Sequence, residues 1–301
     1  MNTIRNNTFF ISGTSGVWRR SKIAAILLAA TFCAAFPLSA HADFVYSDFS
    51  SIDGLTLVGM AAQSGNKLRV TPAANTQVGA AWQTAKQSVQ EGFQTTFQFR
   101  ISDPDMGFNG ADGFAFVVQN DRVDAMGPPL APGYGGLFET DPESGIFNSV
   151  AIEFDTFWNP ERGDPNGNHV SVQTRGTQAN NVNHKYSLGC ATPSFNLEDG
   201  NIHTALIGYV PGSLSISLDG TPLLSVNLDL GSKLNLDQGH AWVGFTAGTG
   251  GGYENIDIHN WSLTSVPEPS NVSSLALLSV IGMAAALLRR NARRTGDSHQ
   301  I

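Results

Sequence analysis

The sequence predicts an all-β chain folded as a jelly-roll sandwich of two antiparallel sheets. Three observations predict it. Short runs alternate apolar and polar residues, are rich in Val, Ile, Phe and Thr, and end on Gly, Asp or Asn. No stretch between residues 43 and 265 keeps a 3.6-residue apolar period. Only 14% of the 301 residues are charged, while Gly numbers 32 and Phe 18. An ordinary domain is about 25% charged, so this composition suits a compact, turn-rich chain and excludes disorder, collagen and coiled coil.

The chain divides into three segments. Residues 1–42 carry Arg5, Arg19, Arg20 and Lys22 and no acid. The last three precede an apolar run, 23–36, and Ala40-His41-Ala42 then offers small residues at a cleavage point. That run is short for a bilayer, so the segment reads as a secretory signal with the mature chain beginning at Asp43. An uncleaved anchor is the competing reading. Residues 43–265 form one domain with no internal repeat. The formal net charge of −8 hides its character, because residues 43–266 hold 9 basic and 23 acidic side chains. Such a surface excludes nucleic acid as a partner. Cys33 leaves with the signal and Cys190 is then alone, so no internal disulfide can form. Cys190 reads as a small buried hydrophobe.

Within the domain the alternating runs are 93–100, 113–118, 150–154, 169–173, 214–218 and 242–245. Leu218-Asp219-Gly220-Thr221 carries the dipeptide of a tight hairpin. Recurrent short strands and turns imply two packed antiparallel sheets.

The densest chemistry lies in Glu153-Phe154-Asp155-Thr156-Phe157-Trp158-Asn159 and its continuation through Asp164-Pro165 to His169. On a strand, Glu153 and Asp155 face the same side. The loop that follows is long, and a bound cation accounts for its length. Asp155, Asn159, Asp164 and a main-chain carbonyl are hard oxygen ligands suited to Ca²⁺. One imidazole added to carboxylates suits Mn²⁺ or a similar transition ion. His184, His203, His240 and His259 lack metal-like spacing and read as structural or exposed.

These residues resemble the metal loop of the legume-type (L-type) lectins, Glu-x-Asp-Thr-aromatic-x-Asn followed by Asp-Pro and His. Glu153, Asp155, Phe157, Asn159, Asp164 and His169 match it. Ala111-Asp112-Gly113, 242–250 and His259-Asn260-Trp261-Ser262-Leu263 extend the resemblance over most of 43–265. It implies a concanavalin-like sandwich. It also implies a transition ion held by Glu153, Asp155, Asp164 and His169, and a Ca²⁺ held by Asp155, the Phe157 carbonyl, Asn159 and Asp164. For sugar it implies Asp112, after a cis peptide, as acceptor of hydroxyls, Asn159 as amide donor and Phe157 as stacking platform. The family's glycine donor falls on Gly135 or Gly136, and its specificity loop on 249–254, where Gly252 and Tyr253 face the ligand. Trp158 is either a second aromatic surface or core packing.

At the other end, Val266-Pro267-Glu268-Pro269, the apolar run 272–288 and Arg289-Arg290 resemble the PEP-CTERM sorting signal of exopolysaccharide-producing Gram-negative bacteria. That resemblance implies an exosortase-type processing partner and delivery to the cell surface or matrix. A plain C-terminal transmembrane anchor is the alternative. The functional expectation is a secreted, non-catalytic, Ca²⁺- and Mn²⁺-dependent lectin for glycans or exopolysaccharide, with an exposed sheet able to support a homo-oligomer. A glycoside hydrolase on the same sandwich needs a further acid where Phe157 and Trp158 stand, so no catalytic residue is assigned. A structural matrix protein that has lost sugar binding is the third reading.

Overall fold

The computed structural model describes residues 43–138 and 144–266. The expected signal, residues 1–42, and the expected sorting segment beyond Val266 lie outside the described residues. Among the described residues no helix is long and apolar enough to cross a membrane.

The strands, in chain order, are β1 (Phe44–Tyr46), β2 (Leu55–Gly59), β3 (Ala62–Ser64), β4 (Lys67–Thr71), β5 (Val78–Gln83), β6 (Gln87–Ser88), β7 (Phe93–Ser102) and β8 (Gly113–Gln119). They continue with β9 (Ser149–Asp155), β10 (His169–Thr174), β11 (Ser187–Ala191), β12 (His203–Val210), β13 (Ser213–Leu218), β14 (Thr221–Val226), β15 (His240–Gly248) and β16 (Asn255–Ser265). One sheet runs β14-β13-β12-β7-β16-β4-β3, with β1 also on β16. The other runs β11-β10-β9-β8-β15-β5-β2, with β6 also on β15. Every pairing is antiparallel.

The six expected runs all fall on strands, each strand one to five residues longer than its run. Asp219 and Gly220 both have positive φ, 48° and 76°, and close the β13–β14 hairpin as a mirror-image turn whose twist suits the flanking strands. The facing sheets bury a cluster rich in phenylalanine. The Phe97 ring meets Phe245 edge-on at 4.9 Å, while Phe114 stacks on Phe154 at 4.5 Å. Trp261 is buried and satisfies its indole N–H on Thr95 Oγ1 at 2.9 Å.

A second apolar cluster lies on the outer face of the β8–β9–β15 sheet. Ala115, Val117, Ala151 and Trp82 pack there beneath Ala125, Tyr134, Ile146 and Val182. Connecting segments therefore cover this face, and β8, β9 and β10 are buried on both sides. Cys190, expected to be buried, is exposed. It sits on β11, the edge strand of the sheet, opposite Ser171 of β10. Removing the Phe97 ring at the centre of the inter-sheet core leaves a cavity, and Phe97→Ala should lower unfolding free energy by about 3–5 kcal/mol in urea titration.

Candidate metal centre and adjoining cleft

Along β9, Val150, Ile152 and Phe154 point into the inter-sheet core, which turns Ala151, Glu153 and Asp155 to the outer face. The β9–β10 register sets His169 opposite Asp155 and Ser171 opposite Glu153. Glu153 is almost fully buried. Its Oε1 accepts from the Tyr134 hydroxyl at 2.9 Å and its Oε2 from Ser171 Oγ at 2.7 Å. His169 Nε2 stands 4.0 Å from Glu153 Oε2. The strand pair thus brings an imidazole and two carboxyls to one spot.

The connecting loop folds back on its own acids. Asp155 Oδ1 accepts from the Phe157 N–H at 2.8 Å, and Asp164 Oδ2 accepts from the Asn159 N–H at 2.8 Å. Between them Pro160–Arg162 makes a 3₁₀ turn closed by Gly163 at φ 88°, whose N–H donates to Pro160 O. That left-handed position favours glycine. His169 Nδ1 lies 2.8 Å from Asn166 O. A carbonyl only accepts, so Nδ1 carries the proton and Nε2 keeps its lone pair.

Burial raises the pKa of these acids. Asp155 is pushed well above the usual carboxylate range by burial, then by Glu153 and Asp164. Glu153 is raised by burial against its hydroxyl donors. Asp164 is pushed up to about 7, by burial first, with the Asn159 N–H opposing. His169 is lowered by burial, which keeps it neutral. Three crowded carboxyls with a neutral imidazole, its far nitrogen already donating to a carbonyl, fit a divalent cation. Asp155, Asn159, Asp164 and the Phe157 carbonyl would offer Ca²⁺ oxygen alone. Glu153, Asp155, Asp164 and His169 would give a transition ion one nitrogen.

The structure corrects the reading of His184. Its Nε2 lies 2.9 Å from His169 Nε2 and 3.9 Å from Asp164 Oδ1. Glu153, His169 and His184 place ligand atoms within 4.8 Å of one another. His203 is structural as expected, held by Asp219 and Asp199 and stacked on Phe195.

Asp112 follows a cis peptide from Ala111, and its N–H donates to Gly248 O at 3.1 Å. The carboxyl is buried and Oδ2 has no hydrogen-bond partner. Burial and then Glu254 push it up to about 7. Glu254 is fully buried, and its Oε1 accepts from the Gly113 N–H at 3.1 Å and from Thr156 Oγ1 at 2.7 Å. It therefore ties the Asp112 segment to the metal loop. Its pKa is raised well above the usual range by burial and by Glu198. Glu198 Oε1 and Glu254 Oε2 both crowd the space where a Gly110 Cβ would sit, and one of the pair must hold a proton for either to find a donor.

The remaining expected residues divide. Gly252 is buried against Phe108, Gly110 and Ala111, directly before Asp112. Tyr253 is half-buried; its carbonyl accepts from the Asp105 N–H, and its own N–H donates to Asp105 Oδ1. Gly135 instead packs on Asn181 and Val182, and the Gly136 N–H is committed to Asn180 O. That segment reaches the neighbourhood of Asp112 through Leu130, whose N–H donates to Thr249 O. Phe157 is half-buried and meets Phe108 at 6.5 Å. Trp158 is 56% exposed, so it is surface rather than core, with its indole N–H on Asp164 O. Phe108, Phe157 and Trp158 line a cleft of about 550 Å³ together with Asn109, Asn196 and Glu198. Sequence reasoning missed Phe108, Asn109, Asn196 and Glu198, which stand on separate loops with no shared motif.

Aromatic rings and amides around an open cleft, next to a candidate divalent-cation loop on a sandwich, point to a carbohydrate-binding β-sandwich. The chain belongs to the legume lectin domain family, whose profile matches residues 41–278. It is 32% identical over 219 residues to favin of Vicia faba, covering 68% of this chain and 87% of that protein. It is 36% identical over 190 residues to the probable L-type lectin-domain containing receptor kinase S.7 of Arabidopsis thaliana. That match covers 56% of this chain but only 25% of the kinase's length. Among solved structures, a lectin from Bauhinia forficata in complex with GalNAc superposes with a TM-score of 0.58 at 27% identity, over 74% of this chain and 97% of that one. The metal-free lectin I-B4 of Griffonia simplicifolia shares the fold, with a TM-score of 0.60 at 24% identity over 74% and 99% of the two chains.

The raised carboxyls predict a pH dependence. Asp112 and Asp164 titrate near 7 when folded and near 4 when unfolded. The folded, metal-stripped chain therefore holds more protons between about 4 and 7, and it loses stability as pH rises through that window. Its melting temperature should be higher at pH 5 than at pH 8, and saturating Ca²⁺ and Mn²⁺ should remove the loss. A rising melting temperature in the stripped protein would contradict this.

Proposed function

We propose that this chain is an exported lectin that binds neutral sugar units of glycans or exopolysaccharide without turning them over, and that Ca²⁺ and Mn²⁺ hold its site. The carrying observation is the Asp112 carboxyl, buried at the end of its sheet with Oδ2 unpartnered. Buried acceptors are almost always satisfied, and a sugar hydroxyl is the donor that such a position calls for. The carboxylate accepts from hydroxyls, and Asn159 donates its amide while its oxygen faces Ca²⁺. The Phe157 ring meets the apolar face of the sugar. Ions at the neighbouring loop would neutralise the acids and fix Asn159 and Phe157 in place. The Bauhinia forficata lectin, solved in complex with GalNAc, supports a hexose-type sugar as the unit recognised.

Export accords with the basic, apolar and small-residue order of residues 1–42, and surface sorting with the terminal Pro-Glu-Pro, apolar run and arginines. On this reading an exosortase-type enzyme processes the tail in a Gram-negative bacterium, leaving the lectin at the cell surface or in the matrix. Copies presented there gain retention through valency.

A glycan array tests the sugar assignment. Asp112→Asn and Asn159→Ala should each weaken binding about 10- to 100-fold or more, the cost of one buried hydrogen bond to a charged group. Metal stripping should abolish binding, and Ca²⁺ with Mn²⁺ should restore it. Binding that survives both substitutions would leave the protein a matrix component with a different binding face. Release of chromophore from aryl glycosides in chelator would instead make it a hydrolase.

A further inference from the structure

The transition-ion side of the centre holds one more imidazole than the legume-lectin pattern supplies. We propose that His184 is a fifth protein ligand of that ion, so that the site favours a nitrogen-preferring divalent cation such as Zn²⁺ over Mn²⁺. This rests on the metal-binding reading above and concerns which residues complete the site.

Position is the first argument. His184 Nε2 stands 2.9 Å from His169 Nε2 and 3.9 Å from Asp164 Oδ1, while His169 Nε2 stands 4.0 Å from Glu153 Oε2. Two ring nitrogens bound about 2.1 Å from one ion at right angles stand roughly 3 Å apart. The histidine pair is already at that spacing.

Protonation is the second. His169 Nδ1–H donates to Asn166 O, so its Nε2 lone pair is fixed and faces His184. Without an ion, that lone pair is satisfied only if His184 donates from Nε2. Moving the His184 proton to its other ring nitrogen, with no change of charge, leaves both Nε2 atoms with lone pairs to offer a shared cation.

The third is that His184 is held in place. The Asn183 side chain accepts from the Lys185 N–H and caps the 3₁₀ turn His184–Tyr186. The Asn183 N–H donates to Asn181 Oδ1, and Asn181 pairs with Gly136 in a short parallel bridge. Gly163 lies against His184 Cβ, so the metal loop itself makes room for the ring. The His184 side chain is only 10% exposed.

Ligand chemistry gives the preference. Carboxylates and carbonyls suit Mn²⁺, and each imidazole added moves a site toward the later first-row ions. Losing an imidazole should therefore cost Zn²⁺ more than it costs Mn²⁺.

The test uses the full-length, metal-stripped chain beside His184→Ala and His184→Gln. Zn²⁺ and Mn²⁺ affinities are measured by chelator competition, and Co²⁺ reports the ligand field through its visible absorption. The variants should lose Zn²⁺ affinity roughly 10- to 100-fold or more, as disturbing an ordinary zinc site does. Their Mn²⁺ affinity should fall less, and the Co²⁺ bands should shift. If the variants keep wild-type Zn²⁺ affinity and Co²⁺ bands, the His184 assignment is overturned while the metal loop stands. If the wild-type chain takes up no transition ion at all, the metal loop reading falls, and this proposal with it. A cooperative melt in chelator establishes that each variant is folded, and the Gln variant serves should the Ala variant fail to give one.

Discussion

Carboxyl burial governs the architecture around the site. Glu153, Asp155, Asp112 and Glu254 are withdrawn from water on one side of the sandwich, and Asp164 is close beside them. Removing a charged carboxylate from water costs several kcal/mol in a real protein, so each group needs a donor, a proton or a cation. Glu153 takes two hydroxyls, while Asp155 and Asp164 take backbone N–H groups. Glu254 takes a hydroxyl and an N–H on one oxygen, and its other oxygen stands beside Glu198. These arrangements are partial, as the raised pKa values attest. On the proposed reading divalent ions would complete them, and cation dependence would follow from the same burial that shapes the loops.

The covering segments explain how such burial arises on a sheet that would otherwise face solvent. Tyr134, Ile146 and Val182 lie over the outer face, and the Tyr134 hydroxyl reaches Glu153 through that layer. One segment therefore serves both an apolar cluster and a candidate metal ligand. Glu254 performs a parallel service from the other end of the chain, joining Gly113 to Thr156. The Asp112 segment and the candidate metal loop share their supports, which would give ion binding a short mechanical route to the cleft.

What the sequence revealed depended on how local each feature was. β7 alternates because one face meets the core and the other is more open, so its period was legible. β8 and β9 are buried on both faces, yet their β-branched and aromatic content still marked them as strands. β3 and β6 have three and two residues, too few to show a period. The same rule holds at the site. Glu153 to His169 is contiguous and could be recognised. His184 reaches the centre on a separate turn, and Phe108 and Glu198 reach the cleft on separate loops, all brought there only by topology. Cys190 misled for a related reason, since its composition suggested burial and its edge position decided otherwise.

β16 is the final strand of the sandwich in chain order, yet it lies in the interior of its sheet, between β7 and β4. Its residues also complete the inter-sheet core through Trp261 and the sheet end through Asn255. Until residue 265 has been synthesised, β7 and β4 cannot be bridged, and the early strands wait with open edges. Native assembly of the sandwich therefore waits for the synthesis of β16, the slow regime expected when distant segments must meet before any of them is secure.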